Sequence, residues 1–296
     1  MKMTRTLLNP KVDFVFKKIF GSEDNKSVLM SFLNATLKPK EEIVSVELKN
    51  TDIEKEYVKD KFSRLDVKAT TNKNETINIE IQLKDEHNMI QRTLYYWSKL
   101  YEEQIGEGDF YNKLNRTVCI NILNFKYLKN DRFHNVYRLK EIETDEELTD
   151  IEEIHFIEIP KLREINLKEE KDMLKVWIEF LRDPESEVIR SVEMNNEEIR
   201  RAKDKLYKLS QDEKERELYF IREKSIKDEA SALYNAEQKG IEKGIEQGMK
   251  EGLEQGEKKA KIDTIKKLNL MGLSIEQIAQ GVSLTIDEVK QILENN

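Results

Sequence analysis

Residues 76–84 place an aliphatic side chain at every second position, with Ile77, Ile79, Ile81 and Leu83 separated by Asn78, Glu80, Gln82 and Lys84. A period of two fits a β-strand that shows one apolar and one polar face, and no helix reproduces it. The stretch Phe62–Ala69 repeats the pattern, with Leu65, Val67 and Ala69 alternating with Arg64, Asp66 and Lys68. Between the two runs, Thr71-Asn72-Lys73-Asn74 supplies turn residues. The expectation is an antiparallel hairpin, which obliges the chain to build a sheet around it.

Further segments extend that sheet and cover it. Asp13–Phe20 reads as a helix introduced by Pro10, whose missing amide suits a first turn. Ser27–Leu37 reads as a second helix ended by Pro39, and residues 43–48 as β-prone. Gln91–Gln104 is helical and aromatic-rich. Thr117–Phe125 (TVCINILNF) is a β-branched run typical of a strand buried inside a sheet. Val136–Leu139 and His155–Ile159 read as strands, the latter closed by Pro160. This order predicts a mixed α/β domain over residues 1–165. At ~150 residues per domain, a chain of 296 residues has room for a second unit.

From Lys168 onward the pattern is helical and highly charged. Residues 166–235 read as a charged helical region and 236–260 as a repeat, KGIEKGIEQGMKEGLEQGEKK, with Gly240, Gly244, Gly248, Gly252 and Gly256 four apart. Ile241, Ile245, Met249 and Leu253 follow one step later. Each glycine in a helix costs ~1 kcal/mol against alanine. A helix here therefore expects a close partner, with a flexible charged linker as the alternative. Residues 261–296 outline a helix-turn-helix: Gly272 ends one helix, Ser274 and Gly281 bound a second, and Thr285 caps a third. The first turn of that third helix carries Asp287 and Glu288 rather than base-reading side chains, which favours packing or partner binding over DNA reading.

Charge and cysteine content narrow the function classes. Residues 1–140 hold 25 Lys+Arg against 20 Asp+Glu, and residues 141–296 hold 26 against 39, a balance of +5 and −13. The first half is compatible with a polyanionic partner. No run of ~18 apolar residues exists for a membrane span, and the first residues offer no secretion signal. The single cysteine, Cys119, lies in an apolar strand and reads as core. A reducing cytoplasm is the expected compartment. His87, His134 and His155 show no ligand spacing.

The polar face of the hairpin carries the chemistry. A turn centred on Lys73 sets Asp66 opposite Glu80, Arg64 opposite Gln82 and Lys68 opposite Asn78. Opposed side chains stand ~5 Å apart, and opposed like charges are destabilising. A hard divalent cation such as Mg²⁺ or Mn²⁺ relieves the repulsion and can activate water against a phosphoryl group. Alternatively Arg64, Lys68 and Lys84 neutralise the acids across the strands. Arg92, with Tyr95 and Tyr96, follows on a helix that can lay a cation and rings beside the same edge.

The segments NPKVDFVFKKIFG, RLDVKA, INIEIQ, RTLYYWSKLYEEQ and EIPKL, over about residues 6–165, resemble the PD-(D/E)XK nuclease family transposases, also called recombination-promoting nucleases. The resemblance implies a restriction-endonuclease-like α/β core and metal-dependent cleavage of DNA. It assigns Asp66 to the first acidic position and Glu80 to the second, with Ile81 offering its carbonyl as a further ligand. Gln82 stands where the wider superfamily has lysine, and Leu65 where it has proline. Asp13 corresponds to an additional acid near the metal. Lys17, Lys68 and Arg92 are candidate phosphate contacts. The implied cofactor is Mg²⁺, with Mn²⁺ as a substitute. The expected partners are DNA and, through the C-terminal helices, further copies of the chain. A non-catalytic DNA-binding or assembly protein on a degenerate core is the alternative, and the C-terminal segment can also be read as regulatory.

Overall fold

The computed structural model describes residues 6–50, 52–53, 63–64, 66–163 and 172–294. Leu65, and residues 164–171, where the sequence sets the end of the α/β core, lie outside the described residues. Two compact units divide the chain, residues 1–223 and 224–296.

In the first unit α1 (Asp13–Phe20) and α2 (Lys26–Leu37) precede β1 (Val46–Leu48). The residues β2 (Asp52–Ile53) and β3 (Ser63–Arg64) form a small ladder of their own. Then come β4 (Val67–Thr71), β5 (Thr76–Gln82), α3 (Met89–Glu102) and β6 (Thr117–Leu123). A hairpin of β7 (His134–Lys140) and β8 (Glu147–Glu158) follows. The six-stranded sheet runs β1-β4-β5-β6-β8-β7. Its central pairs β5–β6 and β6–β8 are parallel and its flanking pairs antiparallel. The parallel pair β5–β6 needs a crossover, and α3 provides it.

Both faces of the sheet are covered, which is why β5 and β6 are buried almost throughout. On one face Ile77, Ile79 and Ile81 are buried beneath α1, against which α2 packs. There Phe16, Phe20, Phe32 and Trp177 form an edge-on and stacked aromatic core. Trp177 belongs to α4 (Met173–Arg182), and α4, α5 (Glu187–Val192) and α6 (Glu197–Gln211) complete this layer. Gly21 ends α1 where a Cβ would stand 2.9 Å from the Lys17 carbonyl and 3.1 Å from Val67, so only glycine allows this approach to the sheet. The opposite face packs Met89, Cys119, Leu123, Ile154 and Phe156 beside α3. Cys119 is core, as read, and burial pushes its thiol pKa up.

Several boundaries differ from the sequence reading. The β-prone run 43–48 contributes only Val46–Leu48 to the sheet. Arg64 pairs with Asp52 in the small ladder rather than with Gln82, because the main hairpin ladder starts at Val67. The β7–β8 hairpin is longer than its apolar residues suggested, since its outer half is charged and exposed and has no buried face to impose alternation.

In the second unit, α7 (Glu213–Leu270, which begins in the first) carries the glycine repeat as continuous helix and not as a linker. Gly272 at φ +85° terminates it, as expected. Helix α8 (Ile275–Val282) begins in a reciprocal Ser274–Gln277 capping box. It runs through Gly281 and stops at Ser283, which takes the left-handed conformation assigned to that glycine. Helix α9 (Ile286–Glu294) follows Thr285, whose hydroxyl and amide bond Glu288. Ile265, Ile278, Ala279 and Val289 join the end of α7 to both short helices in one small core.

Candidate active site

The hairpin register is the one its turn predicts: Lys68 pairs with Asn78 and Val67 with Ile79. Asn74 makes this turn at φ +59°, a conformation asparagine tolerates. Asp66 sits in a bend one residue before β4. Its Oδ2 accepts a 2.8 Å hydrogen bond from the Ile81 amide. The N–H and C=O of one strand residue point to the same side, so the Ile81 carbonyl also faces the Asp66 edge. The Gln82 carbonyl points the other way and accepts from the Asn124 amide at 2.9 Å.

Glu80 is 2% exposed and lies beneath α3. Its Oε2 accepts from Arg92 at 3.1 Å, while Oε1 is buried with no hydrogen-bond partner. The Arg92 guanidinium stands over the Tyr96 ring, 5.4 Å from its centroid, and 3.9 Å from Glu86. Asn121, beside Glu80 in the β5–β6 register, is already engaged. It accepts from Thr93 at 3.0 Å and donates to the His155 carbonyl at 3.1 Å, so its amide gives Glu80 Oε1 nothing.

The electrostatics follow from that crowding. Burial pushes the Asp66 carboxyl above its ordinary range, and Asp13 pushes the same way. The Ile81 amide, Arg92 and Lys17 pull it back. Burial and the neighbouring Asp66 charge push Glu80 up against the pull of Arg92 and, more weakly, of the Asp66 backbone amide. Two desolvated carboxylates thus face one guanidinium, and the cheaper states are a proton or an added cation. The unpartnered Oε1 of Glu80, the Asp66 carboxylate and the Ile81 carbonyl are all oxygen donors, the ligand chemistry that Mg²⁺ or Mn²⁺ prefers. Among the described residues no group of three His, Cys, Asp or Glu side chains gathers as a closed metal centre. A site of two acids leaves positions for water and substrate, as Mg²⁺ requires.

The remaining expected residues divide. Lys17 and Asp13 lie on α1 near enough to act on Asp66. Asp13 is gripped by Arg222 of α7, whose Nε lies 2.9 and 3.0 Å from its two oxygens. Gln82 is half-buried on the Glu80 face at the end of β5. Arg92 is committed to Glu80 rather than presented to solvent, and Lys68 turns to Glu103 at 2.5 Å. Lys68 therefore does not neutralise the acids. His134 and His155 face each other across β7–β8, their ring nitrogens 2.8 Å apart, away from any metal ligand set. Sequence reading missed the roles of Asn121, Thr93 and Arg222, which become neighbours of the site only when β6, α3 and α7 fold against it.

No helix among the described residues is long and apolar enough to cross a membrane. The family model described as PD-(D/E)XK nuclease family transposase matches residues 10–236. No curated protein and no solved structure matches the chain. The family match spans the sheet, both acids and the helices that cover them, and the chain belongs to the PD-(D/E)XK nuclease family transposases.

Proposed function

We propose that the chain is a divalent-metal-dependent DNA endonuclease that hydrolyses phosphodiester bonds in a recombination or mobile-element setting. The observation that carries this reading is the meeting of Asp66 and Glu80 at the end of β5 with Glu80 Oε1 buried and unpartnered. Asp66, Glu80 and the Ile81 carbonyl would hold the ion. When bound, it supplies positive charge against the phosphodiester and eases deprotonation of an attacking water. Gln82 accepts a hydrogen bond from that water and orients it, but its neutral amide cannot deliver a proton to the leaving oxygen as lysine can. That proton comes from solvent. Arg92 fixes the Glu80 rotamer, and Lys17, on α1 close enough to act on Asp66, is the candidate phosphate contact. The P–O bond breaks to leave one hydroxyl and one phosphate end. Supercoiled plasmid incubated with millimolar Mg²⁺ is expected to become nicked, to stay intact in EDTA, and to be nicked again when Mg²⁺ or Mn²⁺ is restored. Nicking that persists in EDTA would contradict the metal dependence.

The second reading, a DNA-binding protein on a degenerate core, is favoured by Gln82 and by the Arg92 guanidinium on Glu80. It is the outcome if the plasmid is bound with normal salt dependence yet never cut.

Helix α7 supports self-association. Ile241, Ile245, Met249 and Leu253 are 50–72% exposed and form a ridge four residues apart. A Cβ at any of Gly240 to Gly256 in the repeat would meet nothing within 4 Å. Ridge and glycine groove share one pitch, so each copy fits the other at a crossing of ~50°. Full-length Ile245→Glu/Met249→Glu is expected to show half or less of the wild-type mass by light scattering. A monomeric wild type at micromolar concentration would count against this interface.

A further inference from the structure

The acids stand at one edge of the sheet, and the register shows what lies beside them. Gln82, Leu123 and Glu158 form one row across β5, β6 and β8. Strands are ~4.8 Å apart, so the chain leaving β8 starts ~10 Å from the end of β5. The segments leaving β6 and β8 on this edge are Asn124–Phe133 and Ile159–Arg163. They carry Lys126, Lys129, Arg132 and Arg163, all exposed, with Asp131 as the one exposed acid.

This basic loop is built and not loose. Glu158 is fully buried and accepts from the Tyr127 amide at 2.7 Å and the Leu128 amide at 3.3 Å. It also pairs with Lys161 at 2.7 Å. The Lys161 ammonium in turn donates to the Leu128 carbonyl at 2.7 Å and the Asn130 carbonyl at 2.5 Å. A buried ion pair with its hydrogen bonds satisfied thus pins the loop against the end of β8. Beside it opens a cleft of about 470 Å³ whose lining includes Arg132, His134, Lys161 and Arg163. Of its two acids, Asp131 and Asp172, the latter is occupied, capping α4 at the Leu174 amide and bonding Lys38 at 3.3 Å. Burial first, then the neighbouring His155 and the charges of Lys38 and Arg132, hold the His134 imidazole down to a pKa of about 4 against the opposing pull of Asp172.

We propose that Lys126, Lys129, Arg132 and Arg163 form a second phosphate-binding surface that seats duplex DNA along the sheet edge beside Asp66 and Glu80. The inference rests on reading those acids as the cutting site. It adds where the duplex lies and which cations position it. It also explains how a chain with net charge −8 presents a polyanion-binding face, since the cations are gathered on one edge.

The test measures anisotropy of a labelled duplex with full-length protein in EDTA, so that binding is read without cutting. The patch variant is Lys126→Gln/Lys129→Gln/Arg132→Gln/Arg163→Gln. The control, Arg200→Gln/Lys208→Gln/Lys214→Gln/Lys224→Gln, makes the same change in net charge elsewhere. The patch variant is expected to bind roughly ten- to a hundredfold more weakly, and its salt slope to fall by about 3 to 4. The control should change far less. The charge-preserving Lys126→Arg/Lys129→Arg/Arg132→Lys/Arg163→Lys should bind like wild type, which separates charge from loop integrity. Patch and control variants that bind alike would overturn the proposal while leaving the cutting site standing. A wild type that binds through the patch but never nicks with Mg²⁺ would overturn the cutting site alone.

Discussion

Asp66→Asn is expected to lower plasmid nicking about 10³-fold, the scale on which a lost charge stabiliser acts, and at the same time to raise the metal-free melting temperature at pH 8. The asparagine oxygen keeps the bond from the Ile81 amide, so the local fold is retained. What disappears is a carboxylate that burial and Asp13 hold above its ordinary range. The sign follows from linkage. A carboxyl whose folded pKa is raised costs nothing while protonated in both states, below its unfolded value near 4. It destabilises the fold progressively as pH rises through the shifted pKa. The gain in the variant is therefore largest at pH 8, on the order of 1–2 kcal/mol or a few degrees, and vanishes in acid. Millimolar Mg²⁺ should raise the melting temperature of the wild type by occupying the site, and should leave that of Asp66→Asn unchanged. Scanning calorimetry with and without Mg²⁺ reads both effects. A variant that nicks at the wild-type rate, or melts lower in EDTA, would remove Asp66 from the site.

A second large effect is expected at the opposite end of the sheet. Glu153 of β8 is 1% exposed. It binds Arg116 at 2.6 Å, Arg138 at 2.5 Å and His155 at 2.8 Å. Burial pushes its carboxyl up, but His155, Arg116 and Arg138 outweigh that and hold it at a pKa of about 2. Arg116 also reaches Glu75 at 2.8 Å, which ties the start of β6 to the start of β5. Glu153→Ala leaves two guanidinium groups without their shared carboxylate, a loss of about 3–5 kcal/mol. Here the pH dependence has the opposite sign to that of Asp66. The stabilisation is present above the unfolded glutamate value near 4 and is lost as pH falls through about 2. The deficit of the variant should be full at pH 7 and shrink in strong acid. Urea titration followed by tryptophan fluorescence at several pH values measures it. A variant within 1 kcal/mol of wild type at pH 7 would show that the arginines find solvent instead.

The two clamps and the acids divide the sheet by function. Glu75, Arg116 and Glu153 lock the starts of β5 and β6. Glu158 and Lys161 lock the far end, where the chain leaves β6 and β8 beside the acids. Charge repulsion between Asp66 and Glu80 is thereby held in a frame that resists it. Under the proposed function, this is an exchange of stability for chemistry.

Local rules were enough for the hairpin. Period-two alternation and a turn centred on Lys73 predicted its register and brought Asp66 to Glu80, because pairing across a short turn depends only on neighbouring residues. The same holds for α1, for the buried strand around Cys119 and for the end of α7 at Gly272, each written in a pattern shorter than a dozen residues. The tertiary structure decided the rest. Glu80 is buried because α3 crosses back over β5, and only that crossover sets Arg92 on one of its oxygens and leaves the other unpartnered. Arg64 leaves the main hairpin, Arg222 reaches Asp13 from 209 residues away, and the basic loop comes beside the acids through parallel pairing of β5, β6 and β8. Such contacts join residues far apart in the chain, and their closure is determined by packing over the whole sheet, which no local spacing encodes.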